Sequence, residues 1–175
     1  MLRRGTALQC RRSVLLSGAV VGLAVLTACA REEPIGEGKT VSRSPLGPQQ
    51  AREEITSLLD DAQYALDEEF AGLSWEESSS ETTGPVDAGC RLTLPARRCD
   101  RYLGLDSADH ATIEAVLSRA LEAHGLPAAP RPAGGTGGWL TTSSSGEGIT
   151  LGFRAKGFTE LTVHVDLAVN CEDVD

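Results

Sequence analysis

Between Ala51 and Phe70 the apolar residues recur at helical spacing: Ala51, Ile55, Leu58, Leu59, Ala62, Ala65, Leu66 and Phe70 share one side. Glu53, Glu54, Asp60, Asp61, Asp67 and Glu68 fall mostly on the other, so the segment is predicted to be an amphipathic helix lying on a sheet, its acids a solvated face. A second helix is predicted after Ser107, a candidate N-cap, with Asp109 in its first turn and Gly125 just past its end. Its buried stripe is Ala111, Ile113, Val116, Leu117, Ala120, Leu121 and Ala123.

Strand patterns fill the rest. "AGLSW" (71–75) reads as a short edge strand, "CRLTL" from Cys90 as a half-buried strand ended by Pro95, and "RYLGL" (101–105) as another short strand. The stretch between the first two, "EESSSETTGPVDAG", carries turn residues and is expected to be a loop. The last third alternates as a meander, with "WLTTSS" from Trp139, "ITLGFR" from Ile149 and "ELTVHVDLAV" from Glu160, joined by glycine-containing turns. In the final strand Leu161, Val163, Val165, Leu167 and Val169 point inward, while Thr162, His164, Asp166 and Ala168 form a polar face. These elements predict an α+β fold: a two-layer sandwich of an antiparallel β-sheet with two amphipathic helices packed on one face.

The first 49 residues follow a different pattern. Ser13 to Leu26 is an uncharged apolar run of 14 residues, shorter than the ~20 needed to span a bilayer as a helix. Arg3, Arg4, Arg11 and Arg12 precede it, and Thr27, Ala28 and Ala30 surround Cys29, which is the layout of a secretory signal. "LTAC", Leu26 to Cys29, resembles the lipobox of bacterial lipoproteins. That resemblance implies a diacylglyceryl thioether on Cys29 and cleavage before it, making 1–28 a signal peptide. "RRSVLL" (11–16) also resembles the twin-arginine export signal, so the export route stays open between that system and the general one. Residues 29–49 hold the acylated cysteine and a tether rich in Pro and Gly, which as a flexible coil would reach about 25 Å. A single globular domain over 50–175 follows.

Loss of the leader removes four arginines and no acid, leaving 147 residues and taking the formal charge from −9 to −13. A chain so acidic, with no basic stripe, is not expected to bind nucleic acid or adhere electrostatically to anionic lipid. Its membrane attachment would be the acyl chains themselves, two or three of which anchor stably.

In an oxidising compartment Cys90, Cys99 and Cys171 cannot all pair within one chain. Cys90 with Cys171 is the favoured disulfide, closing a loop across the sheet, and Cys90 with Cys99 is the rival. Candidate chemistry is sparse. His110, His124 and His164 belong to no metal-ligand spacing, "SSSGEG" (143–148) does not match a nucleophile turn, and "GGTGG" (134–138) lacks the flanking elements of a phosphate loop. No catalytic residue, metal ligand or cofactor is assigned. His164 and Asp166, two apart on one strand face, are the candidate ligand face. The loop "PAAPRPAGGTGG" (127–138), expected to be mobile, is a second candidate, and Trp75 and Trp139 could line a groove or pack in the core.

Leader, lipobox, tether and a compact domain with a cysteine near its C-terminus together resemble the small lipoproteins exported by actinobacteria, most of which have no assigned activity. The resemblance implies a lipid-anchored protein on the extracytoplasmic face of the cell membrane. The preferred expectation is a non-enzymatic binding or interaction module meeting an envelope protein or small ligand. The alternative is a cell-envelope hydrolase using His164 and a carboxylate.

Overall fold

The computed structural model describes residues 43–174, Ala88 excepted. The leader, Cys29 and the first part of the tether therefore lie outside the described residues. Helix α1 (Pro48–Glu69) opens with Pro48 in its first turn, where the missing N–H costs nothing. Its apolar stripe from Ala51 to Leu66 is buried as the spacing predicts. Helix α2 (Asp109–Ala123) buries Ile113, Val116, Leu117, Ala120 and Leu121, whereas Ala111 and Ala123 are exposed. Ser107 does not cap it with its side chain. Instead the Asp106 carboxylate accepts the Ala108 N–H at 2.9 Å, an Asx turn leading into the helix. At the other end Gly125 has φ +69°, the Gly125 N–H reaches the Glu122 carbonyl and the Leu126 N–H reaches the Leu121 carbonyl, a Schellman closure.

The sheet comprises β1 (Trp75–Glu77), β2 (Thr82–Val86), β3 (Gly89–Thr93), β4 (Arg97–Cys99), β5 (Ala133–Gly134), β6 (Leu140–Gly146), β7 (Ile149–Ala155) and β8 (Thr159–Leu167). All of these strand pairings are antiparallel, and the spatial order runs β1, β4, β8, β7, β6, β5. Strand β8 is central: β7 flanks one side, and β3 and β4 share the other. Thr93 pairs with His164 and Arg97 with Leu161, so four steps on one strand face three on its partner. The extra residue is a β-bulge at Leu94–Pro95–Ala96, where proline can supply no ladder N–H. Pro95 thus bends the strand and the pairing resumes beyond it. A second irregularity mirrors it in the outer strand, where Glu77 pairs with Arg97 and Thr82 with Thr93.

Several expectations change here. The serine- and threonine-rich stretch expected to be a loop contains β2, which is paired with β3 from Thr82 opposite Thr93 to Val86 opposite Gly89. "RYLGL" is not a strand. Gly104, at φ +83°, turns the chain so that Leu103 is buried and Leu105 is 78% exposed. The domain also starts before residue 50. Ser44, 3% exposed, forms a parallel bridge with Leu167, and its N–H donates to the Asp166 carbonyl at 2.9 Å. Gly148, at φ +81°, makes room for it: a Cβ there would stand 2.3 Å from the Ser44 nitrogen.

The core lies between the sheet and the helices. It contains the stripes of α1 and α2 together with Leu92, Leu151, Phe153, Leu161, Val163, Val165 and Leu167. Cys90 is joined to Cys171, which sits in a 3-10 turn after β8, with Cα atoms 4.9 Å apart. Cys99 is a free thiol, buried at 1% exposure, and burial pushes its pKa up, which disfavours the thiolate. No helix among the described residues is long and apolar enough to cross a membrane.

Candidate functional site

Helices cover only one face of the sheet, so the outward residues of the strands form the other. Strand alternation fixes which residues these are. Across β3, β8, β7 and β6 they fall in successive rows: Thr93, His164, Thr150 and Ser145, then Thr162, Gly152 and Ser143, then Glu160, Arg154 and Thr141. Asp166 begins the face at the Leu167 end, opposite Arg91.

His164 and Asp166 are indeed on one face, but they make no hydrogen bond to each other among the described residues. Asp166 is 6% exposed and both its oxygens are taken by Arg91, at 2.6 Å from Nε and 2.9 Å from Nη2. That bidentate bond holds the carboxyl below its ordinary range; burial opposes it, and the charges of Arg91, His164 and Arg43 add to it. The His164 ring is pushed the other way. Burial lowers its pKa first and the Arg91 charge adds to this, outweighing the pull of Asp166, so the imidazole is neutral at pH 7. A neutral ring without a carboxylate partner, beside an aspartate already committed to arginine, offers no proton relay.

His124 lies elsewhere, at the C-terminal cap of α2, with its ring between the two helices. Its Nδ1 is 2.7 Å from Glu54 Oε1 and its Nε2 3.0 Å from Asp61 Oδ2. The pair of carboxylates on α1 therefore docks α2. Asp60 similarly receives Arg97 at 3.0 Å, and Asp67 accepts the Trp75 indole N–H at 2.8 Å. The acidic face of α1, expected to be solvated, is in good part a receptor for cations and donors from the rest of the domain. His110 Nε2 bonds the Gly104 carbonyl at 3.0 Å and supports the turn before α2. Among the described residues no three His, Cys, Asp or Glu side chains are grouped to hold a metal ion.

The proline-rich segment is fastened rather than free. The Thr142 and Ser144 hydroxyls donate to the carbonyls of Pro130 and Pro127, Ala129 is buried, and Ala133–Gly134 pair with β6. These bonds satisfy two buried hydroxyls that would otherwise oppose the apolar core.

The feature that sequence reading missed lies at the Thr159 end of the outer face. Trp139 and Phe158 meet edge to face, with ring centroids 5.4 Å apart. The guanidinium of Arg98 lies 3.9 Å over Phe158, that of Arg154 lies 5.0 Å over Trp139, and the Lys156 ammonium lies 5.8 Å from the same ring. Arg154 also pairs with Glu160, a carboxylate whose side chain is only 7% exposed. Arg98, Trp139, Arg154 and Phe158 are separated by up to 60 positions, and only the β4–β8–β7 register brings them together. Next to this corner Gly152 leaves a trough of about 250 Å³, lined by Thr141, Ser143, Arg154 and Thr162. On the other side of Arg98 is a hollow of about 350 Å³ between Gly72, Ser74, Glu76, Asp100 and Arg101.

A solved structure shares this fold. It is described as the "putative lipoprotein LppA from Mycobacterium tuberculosis", and it matches with a TM-score of 0.57 and 11% identity over 74% of this chain and 82% of that one. No protein-family model and no curated protein matches the chain in sequence. At such low identity the likeness concerns the fold alone.

Proposed function

We propose that this chain is a lipid-anchored extracytoplasmic protein whose globular domain is a non-enzymatic binding module, using the outer face of its sheet. The observation that carries the reading is the state of that face. It is open and polar, yet its histidine ring bonds no side chain among the described residues and its nearest aspartate is locked to Arg91. Such a surface presents hydrogen-bonding groups in fixed rows, and no hydroxyl or carboxylate among the described residues is hydrogen-bonded to the His164 ring as a nucleophile–base or base–orienter pair would be. The hydrolase alternative needs His164 to act with a carboxylate, and no carboxylate among the described residues bonds its ring.

The anchor rests on the "LTAC" sequence at 26–29 and is supported by the shared fold with a chain described as a lipoprotein. Acylation at Cys29 would leave attachment to the membrane independent of the domain's acidic surface. The test is mass spectrometry of the native product extracted from membranes. It should begin at Cys29 and carry acyl mass, and Cys29→Ser should lose that mass. A product that retains its first 28 residues, or bears no lipid, refutes the anchor. His164→Ala should leave folding intact and alter at most binding; loss of turnover of an identified substrate with the fold retained would restore the hydrolase.

A further inference from the structure

We propose that the corner formed by Arg98, Arg154, Lys156, Trp139 and Phe158 binds an acidic saccharide, with a sugar ring in the Gly152 trough and its oxyanion, carboxylate or phosphate, against the cations. This rests on the reading of the outer face as a binding surface and names the ligand class that surface takes.

Charge is the first argument. The chain carries a net −9, yet three cations converge at this corner and only one of them is answered by a carboxylate, Arg154 by Glu160. Arg98 makes no ion pair among the described residues, and its buried Nε has no hydrogen-bond partner. Its cross-strand neighbours are Glu76, which is exposed, and Glu160, which is taken by Arg154, and neither makes an ion pair with it. Lys156 donates to a neutral backbone oxygen, that of Gly137, at 2.6 Å. Among the described residues neither Arg98 nor Lys156 forms an ion pair of its own, although Glu160, Glu76 and Asp100 lie near Arg98.

Geometry is the second. A guanidinium seated over an aromatic ring is attracted to the ring face, and its planar fork of N–H donors can match an oxyanion with two parallel bonds. Phe158 thereby positions Arg98, and Trp139 positions Arg154, which is already committed in part to Glu160, so part of the ordering cost is met on folding.

The trough selects the body that carries the anion. The row of Ser143, Gly152 and Thr162 lies next to that of Thr141, Arg154 and Glu160, about 7 Å along the strands. Serine and threonine hydroxyls both donate and accept, as sugar hydroxyls do. Gly152 carries no side chain, which lets the Thr162 hydroxyl lean over the trough floor, 2.7 Å from where a Cβ would stand. A phospholipid headgroup would engage the cations but leave this row unused. An anionic bilayer would also repel a domain with the chain's acidic surface.

The test uses the mature, full-length chain in neutral detergent micelles, with binding followed by titration calorimetry. The probes are oligogalacturonate, a phosphorylated mannan, carboxyl-reduced oligogalacturonate, and phosphatidylglycerol added to the micelle. The expected result is binding of at least one acidic saccharide, weakened about tenfold or more by the double substitution Arg98→Gln/Lys156→Gln and by Gly152→Val, each with an unchanged far-ultraviolet circular dichroism spectrum. Binding should also weaken as salt is raised. Equal affinity for the carboxyl-reduced oligomer, displacement of the saccharide by phosphatidylglycerol, or indifference to the substitutions overturns the proposal. Failure of every acidic saccharide to bind a chain that carries acyl mass on Cys29 overturns it as well, while leaving the anchor standing.

Discussion

Reduction of the Cys90–Cys171 disulfide is the perturbation whose size follows most directly from the chain. The bond joins residues 81 apart. In the native state it adds little that the ladder does not already supply, because Cys90 pairs with Leu167, only four residues before Cys171. Its effect is instead on the unfolded chain, where a crosslink of that span removes conformational entropy worth about 4.5 kcal/mol. A domain's whole stability is about 5–15 kcal/mol, so reduction should take away a third or more of it. For the roughly 130 residues described, unfolding entropy of about 0.27 kcal/mol per degree converts this into a fall in Tm of roughly 15 °C. The assay is urea unfolding with and without a phosphine reductant, on a Cys99→Ala background that prevents exchange with the buried thiol. The midpoint should fall and the urea m-value should rise, since the freed chain exposes more surface. If the oxidised bond is verified by peptide mapping and reduction still costs less than about 1 kcal/mol, the entropy argument fails for this protein.

Two further outcomes follow from the ion pairs. Burial by itself lowers the His124 pKa, but hydrogen bonds from its ring to Glu54 and Asp61 outweigh this and raise it. The stability it contributes is therefore fully present below the ordinary value near 6.5 and is lost as pH rises through the folded-state value. The urea midpoint should fall on the alkaline side of that range in the wild-type chain and change less in His124→Gln. Arg91→Ala leaves Asp166 buried without its partner. Because the Arg91 side chain is itself 42% exposed, the cost should be about 2 kcal/mol rather than that of a fully buried pair, read from thermal unfolding at pH 7. The depressed Asp166 pKa means its share is present above about pH 4 and is lost in acid, so the difference between Arg91→Ala and wild type should shrink as pH falls through the folded-state value.

What the sequence made legible is what a one-sided burial pattern can encode. The stripe of α1, the inward residues of β8 and the meander alternate against a core, and their periods are those of helix and strand. Strand β2, "TTGPV", is exposed or half-exposed along its whole length, so it has no apolar period and its Gly-Pro reads as a turn. Strand β4 is three residues long and follows a proline; its Arg97 turns inward only to reach Gln63 and Asp60 on α1, a pattern that no hydropathy rule flags. "RYLGL" misleads in the opposite sense, since Leu103 is buried by a turn held through the Thr159 hydroxyl. His164 and Asp166 could be placed on one face from alternation alone. That Arg91 claims the aspartate depends on register between strands 75 positions apart, and so does the meeting of Arg98 and Phe158.

Ser44 enters the sheet beside Leu167, whereas the Trp139 corner is at the Thr159 end of the same central strand, about 26 Å away along its length. The described chain therefore enters the domain at one end of its central strand and carries its cation cluster at the other. The one short bridge at Ser44 thereby gives the domain two unlike poles.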